Sequence, residues 1–145
     1  MARRFAKIKP NVWRTEKMRH LKEAEKLVAI YLMANEYFQM VGIYRLPIAL
    51  IEADLELDYQ RVRSVLNRLI EVDFCRYDDD KEVVWVVDMA ATQVADKPNK
   101  KQLTGVTNEI TRLYEEEYPF IQEWLALYHK RYALNADIHE LCYTD

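Results

Sequence analysis

The chain has 145 residues, and half of them are hydrophobic, enough to bury a sizeable core and to exclude a globally disordered protein. No apolar run approaches the ~20 residues that a membrane-spanning helix needs, and two glycines leave no room for a glycine-rich phosphate loop. The net charge of −3 hides a division: residues 1–22 hold eight basic side chains against Glu16 alone, whereas residues 23–145 hold 13 basic against 23 acidic. A basic start on an otherwise acidic protein points to a localised anion-binding region.

No apolar stretch of the secretory-signal type follows the basic start. A cytoplasmic protein is therefore expected, with Cys75 and Cys142 as reduced thiols. Residues 1–20 read as a basic arm, with Arg3, Arg4, Lys7 and Lys9 placed to follow a groove or a phosphate backbone. Phe5 and Trp13 lie within it and could stack on bases, but they read better as anchors. Thr15 suits the cap of a short helical turn.

A domain is expected over residues 21–90. The spacing of Ala24, Leu27, Val28, Tyr31 and Leu32 predicts a helix over 22–34 with those residues on its buried face. Residues 36–41 form a loop with aromatic anchors, and Ile43–Leu46 read as a short strand. Pro47 suits a first helical turn, and that helix runs to about Leu55. Asp58 is a good N-cap for the next helix, which continues to about Val72. Phe74–Tyr77 and Val83–Val87 are β-rich runs around the polar stretch Asp78–Glu82, the pattern of a hairpin with a longer loop.

This order is that of a winged helix-turn-helix, with Ile43–Leu46 completing a three-stranded sheet. Residues 91–99 read as a linker, and Asn99 with Gln102 as a capping box. Leu103, Val106, Ile110 and Leu113 mark one helix. Tyr118-Pro119 breaks it, and Ile121, Trp124, Leu125, Tyr128 and Tyr132 mark another. The expected class is thus mainly α with a small antiparallel sheet: a winged helix-turn-helix, a helical hairpin over 100–134 and a tail over 135–145. The hairpin would dock on the first domain or on a second copy of the chain.

On a helical wheel, Val62, Val65, Leu66, Leu69, Ile70 and Val72 share one arc, and Gln60, Arg61, Arg63, Ser64, Asn67, Arg68 and Glu71 share the other. Arg pairs in bidentate fashion with guanine, and Asn or Gln with adenine. The expected base readers are therefore Gln60, Arg61, Arg63, Ser64 and Asn67, with Arg68 nearer phosphate. The acidic tip Asp78-Asp79-Asp80-Lys81-Glu82 opposes this reading, as does Glu71. No residues have metal-ligand or nucleophile spacing, so the expected function is binding of duplex DNA, not catalysis, with no cofactor.

The segments Lys9-Pro10 with Trp13, Ala24–Leu27 with Tyr31-Leu32, Val41–Pro47, Ala53–Leu55, Val62–Leu69, and Tyr77-Asp78 with Val83–Val86 occur in a characteristic order. Over residues 8–90 the chain resembles the N-terminal winged-helix domains of phage replisome organisers and of bacterial replication-initiation proteins of the DnaD type. The resemblance implies binding at an origin or fork, self-association, and delivery of a helicase or its loader as replication partner. It implies no catalytic residue. Two departures stand out: Glu56 where such turns commonly carry glycine, and a C-terminal region reduced to a hairpin. Two other functions fit the same elements. One is a transcriptional regulator dimerised by the hairpin, and the other is a protein-binding module that uses the acidic tip.

Overall fold

A computed structural model of the chain describes residues 5–95 and 97–132. A 3-10 turn over Pro10–Arg14 precedes α1 (Glu23–Ala34), β1 (Ile43–Arg45), α2 (Ile48–Leu55) and α3 (Tyr59–Glu71). The hairpin β2 (Cys75–Asp78) and β3 (Val83–Val86) follows, then α4 (Met89–Gln93), α5 (Lys100–Glu115) and α6 (Ile121–Tyr128). The described protein is mainly helical with one small antiparallel sheet, an α+β architecture, in strand order β1-β3-β2.

The helix boundaries follow from local chemistry. Asp58 caps α3 by accepting a hydrogen bond from the Arg61 amide at 2.8 Å. Asn99 and Gln102 bond reciprocally to each other's amides at the start of α5, the expected capping box. Glu25 reaches back to the Lys22 amide and starts α1. Thr15 plays a different part from the expected one: it closes the 3-10 turn, its hydroxyl donating to the Val12 carbonyl. On α1 the buried residues are Val28, Ala29, Leu32 and Met33, while Leu27 is exposed. The buried face is thus rotated from the expected one, with Ala29 and Met33 inside and Leu27 outside, where α1 packs on α3.

The sheet separates two cores. Tyr44, Cys75, Val84 and Val86 face α1, α2 and α3, where Leu32, Ile51, Leu66 and Leu69 are buried. Ile43, Val83, Trp85 and Val87 face the other way, onto α5 and α6, where Val106, Ile110, Leu113, Trp124 and Leu125 are buried. Side chains alternate across a strand, so β3 lies buried on both faces.

The C-terminal helices are held by polar contacts as well as apolar ones. The Trp124 indole donates to the Val41 carbonyl at 2.9 Å, Tyr128 to Val87 at 2.5 Å and Tyr132 to Ala90 at 3.0 Å. Of the two expected docking modes, the hairpin takes the one within its own chain. Leu113 and Trp124 are fully buried within the chain. The segment expected as a linker begins differently too: residues 91–93 belong to α4, and Gln93 and Val94 are buried.

Candidate nucleic-acid interface

The site is built on α3, whose inward face is fixed by Val62, Val65, Leu66 and Leu69. A helix face opposite a fully buried stripe must point to solvent. Gln60, Arg61, Ser64 and Asn67 are accordingly exposed and lie together on that face. Arg61 has no ion pair among the described residues, which leaves its guanidinium available to an anion.

The two other expected arginines are engaged. Arg63 makes a bidentate pair with Asp79 of the hairpin tip, at 2.5 and 3.0 Å. The carboxylate raises the Arg63 pKa above its ordinary value. Arg68 lies 3.2 Å from Glu71 and 4.0 Å from Glu25, so it is braced between two carboxylates. Asp79 is a partner that the sequence reading missed. The tip acids are expected only to repel phosphates, and no signal in the sequence joins positions 63 and 79.

The tip itself is tied down. Arg45 lies 3.5 Å from Glu82, the Asp78 carboxylate accepts from the Lys81 amide, and the Lys81 ammonium donates to the Glu117 carbonyl. The Leu46 amide adds a bond to the Glu82 carbonyl. The hairpin is thus fastened to α3, to the end of β1 and to the α5–α6 turn. Beside it lies a shallow acidic hollow lined by Glu52, Tyr59, Tyr77, Asp79 and Glu82. The carboxylates of Glu52, Asp79 and Glu82 make that hollow unfavourable to a phosphate group.

The basic arm divides. Arg3 and Arg4 lie outside the described residues. At Lys7 the backbone is clamped: its amide donates to the Gln93 side-chain oxygen at 3.1 Å, and its carbonyl accepts from the Gln93 amide nitrogen at 2.8 Å. Lys9 is exposed where the 3-10 turn begins. Lys17 continues the anchoring by bonding the Asp73 carbonyl and pairing with Asp88 at 2.9 Å. From Lys7 onward the segment is therefore fastened to the body of the protein rather than a free arm. Phe5 and Trp13 do not supply the anchoring, since they are 76% and 53% exposed. Gln93, Ala6 and Val12 hold the segment instead.

Among the described residues, no group of acidic, histidine or cysteine side chains could hold a metal ion, and no helix is long and apolar enough to cross a membrane. Comparison with family models, curated proteins and solved structures found no match.

Proposed function

We propose that the chain is a winged-helix protein that binds duplex DNA, with α3 as its reading helix, of the kind used in phage or prophage replication initiation. The observation that carries this reading is the exposed patch Gln60, Arg61, Ser64 and Asn67 on a helix whose opposite face is wholly committed to the core. Those side chains offer donors and acceptors that match base edges in the major groove. The α2–α3 pair with the β2–β3 hairpin beside it is the arrangement expected of a winged helix-turn-helix. The replication assignment rests on the sequence resemblance over residues 8–90.

The Arg63–Asp79 pair does not oppose the reading energetically. Half-exposed ion pairs contribute at most about 1 kcal/mol, so release of Arg63 to a guanine or phosphate costs no more than about fivefold in affinity. A protein-binding role for the acidic tip is less well supported, because that tip is already fastened on three sides.

The test is fluorescence anisotropy of labelled duplex DNA, first of random sequence and then of a selected site. Arg61→Ala and Asn67→Ala are each expected to lose about 1–3 kcal/mol of discrimination at one base pair of the selected site. Binding that neither substitution alters would refute α3 as the reader.

A further inference from the structure

We propose that the segment Phe5–Arg14 is a second, separate nucleic-acid surface: a stacking platform for the unpaired bases of a single strand. Phe5 and Trp13 are the most exposed large hydrophobic side chains among the described residues, at 76% and 53%. They are interleaved in sequence with Lys7, Lys9 and Arg14, all exposed and none of them ion-paired among the described residues. Glu16, the one acid in residues 1–22, pairs with Arg19 at 3.7 Å, and Asp88 pairs with Lys17 at 2.9 Å. Aromatic faces interleaved with free cations are what a single strand recognises: bases stack, phosphates pair, and no sequence is read.

Three further observations favour this occupant. The segment is held in place by the double hydrogen bond between Lys7 and Gln93 and by Lys17 at Asp73, so the aromatic groups are presented on a fixed backbone. It belongs to the only stretch with a large positive balance, eight basic residues against one acidic over 1–22, on a chain otherwise negative. The structure around Trp13 is a five-residue 3-10 turn, too short to form the long apolar helix face that a membrane-surface anchor buries.

Lys17 fastens the segment just past the C-terminal end of α3, whereas the hairpin tip meets α3 at Arg63, nearer its start. The platform and the proposed duplex-reading patch share no residue, and either can fail without the other.

Trp13 also supplies the assay, because the other two tryptophans, Trp85 and Trp124, are buried. Oligothymidylate and oligouridylate of about twelve nucleotides are titrated against the full chain while tryptophan emission is followed. Quenching by either strand is expected, and the pair of probes tells a deoxyribose strand from a ribose one. In anisotropy with the labelled oligonucleotide, Trp13→Ala is expected to weaken binding about tenfold and Phe5→Ala by a smaller factor, with Trp13→Phe retaining most of the affinity. Asn67→Ala is expected to leave single-strand binding unchanged. Absence of quenching, or equal affinity for wild type and Trp13→Ala, overturns the platform. So does a blue shift of emission on anionic phospholipid vesicles when neither oligonucleotide has any effect.

Discussion

Arg63 of α3 and Asp79 of the β2–β3 tip form a two-point ion pair, which joins the exposed face of the helix to the hairpin beside it. The geometry is that of the stronger class of charged hydrogen bond, yet the Asp79 side chain is 60% exposed, so solvent screens the pair. Asp79 thus competes with any anion that approaches Arg63. Asp79→Asn is expected to raise duplex affinity by up to about fivefold and to steepen its salt dependence by about one counterion. An unchanged affinity and slope, measured by anisotropy across a salt series, would mean that Arg63 never reaches the DNA.

Gly42 has a φ of +87°, and a Cβ placed there would lie 2.7 Å from the Val86 carbonyl oxygen and 2.9 Å from the Met89 Cβ. The carbonyl of Gly42 also accepts from the Val86 amide, so the position cannot shift without loosening the β1–β3 pairing. Gly42→Ala is expected to destabilise the protein by about 2 kcal/mol or more. Urea denaturation checks this, and a midpoint equal to wild type would contradict the packing described here.

Trp124 is fully buried and bonds Val41 across the second core, close to the rings of Tyr128 and Tyr132. Trp124→Ala is expected to cost about 3–5 kcal/mol. Because its site lies within one chain, the lost stability is not expected to depend on protein concentration. A denaturation midpoint that rises with concentration would place the residue at an interface between copies.

Burial pushes the Cys75 thiol up to about 12, and burial followed by Glu82 and Asp79 pushes the Tyr77 phenol up to about 12. Tyr44 and Tyr128 are raised in the same direction, chiefly by burial. Each group is an acid whose folded pKa exceeds its unfolded one, so folding favours the neutral form. The resulting stability is fully present below the unfolded values, near 9 for Cys75 and near 10 for Tyr77, and is lost as pH climbs toward 12. Thermal unfolding followed from pH 8 upward is expected to show a steep fall in Tm beginning above about 9. Cys75 is expected to resist alkylation at pH 8 until the protein unfolds. A flat Tm through the alkaline range would contradict these environments.

Much of the architecture could be read from local signals. The Asp58 cap, the Asn99–Gln102 box and the clean division of α3 into two arcs needed only neighbouring residues, and each is present. What depended on distant partners escaped. The uninterrupted apolar run Val83–Val87 predicts a strand, and such a run also signals burial on both faces. Burial on both faces requires a second layer on the sheet, the place that α5 and α6 fill. Leu27 fits the helical period but is exposed, because tertiary packing and not spacing alone selects the buried stripe. At Glu56 the departure from glycine is met by a left-handed backbone, φ +55°, and the same device recurs at Asp73, Glu82, Glu117 and Phe120 in this glycine-poor chain. At the site, exposure of Gln60, Arg61, Ser64 and Asn67 followed from periodicity. The capture of Arg63 by Asp79 and the clamp of Gln93 on Lys7 did not, since they join residues 16 and 86 positions apart.

Contact between the exposed face of α3 and duplex DNA, as proposed, can be followed by amide chemical-shift mapping of the labelled protein with duplex. Perturbations are expected to concentrate on residues 60–68 and to weaken as salt is raised. Saturation of the duplex with those amides unmoved, or no perturbation anywhere even at low salt, would contradict it.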